Sequence, residues 1–208
     1  MPMRCPKPIF AAPVALACMA AGPPVRAEEY SFRVFCNGSP VGYQHVEVSR
    51  NDDQTVADTD VAVDVTMAGI ELYRFRHRSH EIWREGKLVD LHSETDDDGD
   101  SYALSVHPDD DGALLVQSND GSRKVPADIL PTSYWNPAVL DRGELLDTES
   151  GKTLKVAVSR LSDGRYDVSG DLSVQLDYRD GRWSGVRFRY FGADVDFRPD
   201  QSMVMRAQ

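Results

Sequence analysis

The sequence predicts a mainly β protein: a single antiparallel, strongly curved sheet or half-barrel with one short helical crossover. Three observations predict it. Apolar and polar residues alternate in many short segments, the turns between them are acidic or contain glycine, and no longer stretch repeats at helical spacing.

The chain opens MPMRCPKPIFAAPVALACMAAGPPVRAEEY, with Arg4 and Lys7 ahead of an apolar run over 9–21 and Val25-Arg26-Ala27 as a small-x-small cleavage pattern. That is the layout of a secretory signal peptide over 1–27, leaving one domain over 28–208 with an ordered core over 30–198. The apolar run falls short of the about 20 residues that cross hydrocarbon, so no transmembrane segment is expected. Ala15-Leu16-Ala17 before Cys18 approximates a bacterial lipobox, but its leucine stands one place too close to the cysteine. Export to the periplasm is therefore the expected fate, with lipid anchoring at Cys18 the alternative.

The whole chain carries a net charge of −11, and residues 1–27 contribute only basic residues to it. Nucleic acid is excluded as a partner, because phosphate binding needs the opposite sign. A surplus of acid instead keeps an exported protein soluble and monomeric. Beyond the signal, Cys36 stands alone, which excludes an intrachain disulfide and suits a small buried hydrophobe in the first strand.

Strand-like alternation begins at 30–36, turns at Asn37-Gly38, and continues through 41–49, 59–67 and 71–83. It turns again at Glu85-Gly86, runs through 88–95, passes the acidic turn at 96–100, and resumes at 102–107 and 114–117. After a break come 154–159, 166–168, 173–178, 183–190 and 194–198. Trp83-Arg84-Glu85-Gly86-Lys87 and Tyr178-Arg179-Asp180-Gly181-Arg182 share one order of residue types, which reads as recurring turn geometry. The break, ILPTSYWNPAVL over 129–140, holds Pro131 and Pro137, which bar it from the middle of a sheet. Asn136-Pro137 supplies an N-cap and a first helical residue, so a short helical turn over 137–140 is expected in a crossover.

Residues 77–92, HRSHEIWREGKLVDLH, raise the question of a metal site. Alternation puts Tyr73, Phe75, His77, Ser79, Glu81 and Trp83 on one face and Arg74, Arg76, Arg78, His80 and Ile82 on the other. A three-residue turn at 84–86 sets Arg78 opposite His92, His80 opposite Asp90, and Arg76 and Arg74 opposite Glu94 and Asp96. A two-residue turn sets His77 opposite Glu94 and Ser79 opposite His92, a file suited to zinc or copper. The first register pairs arginines with carboxylates, so a polar hairpin is expected, with His77, His80, His92 and Glu94 as the alternative metal set.

Other chemistry finds little support. ETDDDGD has Ser105 where a calcium loop needs its closing glutamate, and no G-x-S-x-G elbow occurs. No catalytic residue is nominated and no cofactor is expected. The aromatic residues Tyr73, Trp83, Tyr134, Trp135 and Trp183 are more suggestive, since a curved sheet lined by rings can hold an apolar ligand.

Glu81-x-Trp83-x-x-Gly86-x-Leu88 with Tyr73, Thr132-Ser133-Tyr134-Trp135-Asn136, and Tyr178-x-x-Gly181-x-Trp183 resemble a bacterial exported family known as domain of unknown function 6134. That resemblance would span residues 30–198 and implies no activity. The layout is also similar, in architecture alone, to the half-barrels of periplasmic lipoprotein carriers, whose concave apolar sheet shelters acyl chains. The expectation is a non-enzymatic periplasmic protein that binds a hydrophobic small molecule, a lipid or an envelope protein. A metal-binding envelope protein is the alternative and a hydrolase the third reading.

Overall fold

The structure, a computed structural model, describes residues 26–200. The expected signal peptide over 1–27 and the alternative anchoring at Cys18 lie outside the described residues, apart from Arg26 and Ala27, which open the first strand.

The first half of the chain is a meander of long strands: β1 (Arg26–Cys36), β2 (Ser39–Arg50), β3 (Gln54–Met67), β4 (Ile70–Arg84) and β5 (Lys87–Asp97). β6 (Asp100–Pro108), β7 (Leu114–Ser118) and β8 (Gly121–Val125) end it. A crossover then carries the two-residue β9 (Leu130–Pro131), a 3-10 turn (Pro137–Asp141) and β10 (Glu144–Leu146). The second half is β11 (Thr153–Ser162), β12 (Arg165–Gly170), β13 (Val174–Arg179), β14 (Arg182–Tyr190) and β15 (Ala193–Pro199).

All of these strands join one sheet in the order β8-β7-β6-β5-β4-β3-β2-β1-β15-β14-β13-β12-β11-β10-β9. Pairing is antiparallel throughout except between β9 and β10, which run parallel. The sheet curls until both halves share one core, from Phe32, Val48, Leu91 and Val116 to Leu176 and Val186. Removal of apolar surface from water drives that closure, and it places the crossover against the inner face.

The expected helical crossover reduces to the single 3-10 turn. Its cap is the one the sequence suggested: Asn136 is extended and its side-chain oxygen accepts from the Ala138 amide. Pro131 fits because β9 is the edge of the sheet. Residues 121–125, 130–131 and 144–146 were not expected as strands, since edge pieces this short have no alternation to read.

The β4–β5 hairpin takes neither expected register. Arg84 pairs with Lys87, so Glu85-Gly86 is a two-residue turn, and both residues have positive φ. A bulge at Val89 then shifts the pairing, setting Arg78 opposite Glu94, His80 opposite His92 and His77 opposite Thr95. The reason is burial: Leu88 and Leu91 both face the core, and an odd spacing can do that only with an extra residue between them. The β13–β14 hairpin repeats the device, pairing Arg179 with Arg182 and shifting beside Tyr178 and Trp183. The shared residue order of the two turns is thus a shared geometry.

Cys36 closes β1 half-buried, where a fully buried position was expected.

Candidate functional site

β4 carries a gradient along its inward face. From its start to its end the side chains read Tyr73, Phe75, His77, Ser79, Glu81 and Trp83, half-buried at the first two positions and buried from His77 onward. The two ends of this row belong to different environments.

At the Trp83 end the crossover is clamped to the sheet. Glu81 is completely buried; the Ser133 hydroxyl donates to one carboxyl oxygen and the Trp83 indole N–H to the other, at 2.8 Å. Trp83 meets Trp135 edge-on at 5.8 Å. Tyr134 sits edge-on to Trp183 at 5.7 Å, and the Tyr178 hydroxyl donates to the Tyr134 carbonyl at 2.7 Å. Ser93 donates to the Thr148 carbonyl at 2.6 Å, tying β5 to the segment after β10. Close by, Gly151 has φ 69 and faces Leu104 and Val116 so closely that no side chain fits.

Burial pushes the Glu81 carboxyl up to about 7, against the donors Ser133 and Trp83 and the pull of Trp135. The Trp135 indole nitrogen is itself buried without hydrogen-bond geometry to any acceptor. A carboxyl poised near neutrality beside a serine invites a catalytic reading, but the group has no exposed surface with which to meet a substrate. His77 is no base for Ser133 either: its Nδ1 pairs with Thr95 Oγ1 at 2.8 Å, and burial pushes its pKa down to about 4.

At the Tyr73 end the sheet stays open. Tyr73 on β4 and Tyr190 on β14 approach across the curl, with ring centroids 6.0 Å apart. Phe75 stacks on the His77 ring at 6.4 Å. Glu149 is exposed and yet enclosed enough that desolvation, then Asp147 and Asp97, push its carboxyl up to about 7. Desolvation and Asp97 also raise the Tyr73 and Tyr190 hydroxyls, which places these groups together.

The histidines divide between faces. His77 points inward, while His80, His92 and Glu94 point outward, so the four form no single ligand set. On the outer face His80 bonds Asp58 at 2.6 Å and His92 approaches Asp90 at 3.3 Å. They border an open polar groove of about 410 Å³ that also takes in His45, Asp60 and Arg78. Among the described residues, no three His, Cys, Asp or Glu side chains converge as metal ligands. The outer arginines do find carboxylates, partly on β3 instead of β5: Arg74 meets Asp96 at 3.0 Å, Arg76 meets Asp64 at 2.7 Å and Arg78 meets Asp60 at 3.2 Å.

The five aromatic candidates therefore separate. Trp83, Trp135 and Trp183 are 3%, 6% and 4% exposed, so their rings are spent on one another and on Tyr134, leaving Tyr73 at the open end. Sequence reasoning missed Glu81 as the centre of the clamp, although it shares a strand face with Trp83. It also passed over Glu149, and Phe191, whose ring meets Tyr190 edge-on at 4.6 Å.

The three sequence signatures meet at this clamp: Glu81 with Ser133, Trp83 with Trp135, and Tyr178 and Trp183 with Tyr134. Domain of unknown function DUF6134 matches residues 32–200. The chain belongs to that family. Among solved structures, this family member is similar to a beta-barrel-like protein of domain of unknown function DUF1849 from Brucella abortus, with a TM-score of 0.56 at 10% identity. The match covers 86% of this chain and 96% of that one, and it shows the fold alone. No curated protein matches the sequence. No helix among the described residues is long and apolar enough to cross a membrane.

Proposed function

We propose that this protein is a non-enzymatic binding protein of the periplasm that receives a hydrophobic ligand, such as a lipid, at its Tyr73–Tyr190 end. The observation that carries the reading is the contrast in burial along β4: the tryptophans are sealed, while Tyr73 and Phe75 remain half-buried beside Tyr190. Half-exposed rings at the mouth of a curved sheet offer apolar contact without unpacking the core. The phenol of Tyr73 and the carboxyls of Asp97 and Glu149 add polar partners for a headgroup.

Native mass spectrometry of the protein purified from its own cells tests this. A bound amphiphile that is lost in Tyr73→Ala and retained in a conservative core variant, Val116→Ile, is the expected result. Equal occupancy in Tyr73→Ala and the parent, or a protein that carries no ligand, would remove the reading.

A further inference from the structure

The turns of this protein single out one pair. Six turns place a non-glycine residue at positive φ directly before a glycine: Asn37, Ala68, Glu85, Asp98, Asp180 and Phe191. Asparagine and aspartate are at home in that conformation, and polar side chains suit a solvent-facing tip. Ala68 and Phe191 are the two exceptions, and their turns are neighbours. Tyr73, just behind the Ala68-Gly69 turn, meets Tyr190, which adjoins the Phe191-Gly192 turn. Around them Met67, Ile70 and Leu72 are 66%, 65% and 51% exposed, and Phe191 is 94% exposed.

Phe191 is the sharpest case. A bulky side chain at φ 45 is strained, and a ring this exposed gains almost no burial within the protein to offset the strain. Its ring meets Tyr190 edge-on at 4.6 Å, and most of the ring stays free for a contact from outside the chain.

We infer that this end docks on a lipid bilayer, with the Ala68-Gly69 and Phe191-Gly192 turns entering the headgroup layer. The exposed apolar residues sit on two hairpin tips and not on a broad flat face, whereas a stable protein interface needs about 800 Å² from each side. The order of residues fits the same surface. Apolar tips come first, then the phenols of Tyr73 and Tyr190 at the depth where amphipathic rings favour an interface, then charges. The arginines among those charges are paired, Arg74 with Asp96 at 3.0 Å, Arg76 with Asp64 at 2.7 Å and Arg189 with Asp194 at 3.0 Å. Glu71, Asp97, Asp98 and Glu149 leave this end acidic, so a zwitterionic bilayer suits it better than anionic lipid, which repels a chain of net charge −11. The inference goes beyond the ligand reading and does not require it.

Co-sedimentation of the exported protein, purified from its own cells, with phosphatidylcholine vesicles tests the inference. The parent should pellet with the vesicles, and less so when anionic phosphatidylglycerol is added. Phe191→Asn, which suits the turn, should weaken partitioning about tenfold while the melting temperature holds or rises. Leu161→Asn, an exposed leucine at the opposite end of the sheet, should leave partitioning unchanged. Equal partitioning of Phe191→Asn and the parent, or no vesicle binding at all, would overturn docking. So would sedimentation velocity showing a dimer that Phe191→Asn dissolves, which assigns the tips to a second copy. Vesicle binding that survives Tyr73→Ala while ligand occupancy falls would separate this inference from the ligand reading.

Discussion

The two ends of β4 use the same kinds of residue for opposite purposes. At the Trp83 end, rings and a carboxyl close on one another: Glu81 has no exposed surface, and its donors come from Ser133 on the crossover and Trp83 on its own strand. At the Tyr73 end, rings and carboxyls stay accessible, with Tyr190 at 42% exposure and Phe191 almost wholly in solvent. The difference teaches that an aromatic and acidic composition does not by itself mark a binding site. What decides is whether a second segment covers the face, and the crossover covers only one end.

Substitutions in the sealed end should have the largest effects. Trp135→Ala removes a buried ring that holds the crossover against Trp83, and should cost about 3–5 kcal/mol of unfolding free energy in urea titration. A cost under about 1 kcal/mol would show that the crossover is not clamped there.

The next largest effect is a pH dependence. Glu81 has a folded pKa of about 7, above its ordinary value, so the folded state binds the proton more tightly. Its contribution is fully present below its ordinary pKa and is lost as pH rises through about 7. Glu81→Gln, which is never charged, should flatten this loss and gain on the parent by up to about 3 kcal/mol at alkaline pH. His77 runs the other way: its folded pKa of about 4 lies below the ordinary value, so its contribution holds at neutral pH and is lost as pH falls through about 4. Parallel stability curves for the parent and Glu81→Gln across this range would break the assignment of Glu81 as the titrating group.

The open end should respond far less. Phe191→Asn relieves a strained turn and should raise stability by about 0.5–1 kcal/mol in thermal unfolding, whereas a loss would mean that the edge-on contact with Tyr190 outweighs the strain. Smallest of all is Arg78→Ala on the outer face, where an exposed pair with Asp60 is worth about 0–1 kcal/mol. Double-mutant cycles with Asp60→Ala measure that pair directly.

Much of the sheet was legible in the sequence, because alternation on long strands such as β4 reports which face is buried without reference to any partner. The arginine side of β4 and the ring side of β4 follow from that rule alone. The hairpin register was not legible by counting turn residues, yet Leu88 and Leu91 held the information: both are apolar, and only a bulge lets both face inward. Edge strands such as β8 and β9 left no pattern, since so few residues cannot display a period. Of the residues at the open end, Tyr73 was named from the sequence, while Glu81 in the clamp was passed over because a single acid on a strand says nothing of its solvation.

The order of residues alone determined that this chain builds a curled antiparallel sheet with a charged exterior, because side-chain alternation and turn chemistry are local properties. Only the tertiary structure decided which rings are sealed and which remain available, because burial depends on where the crossover lands. The same fold brings Ala68-Gly69 beside Phe191-Gly192, more than a hundred residues apart in the chain, and no local rule could place them together.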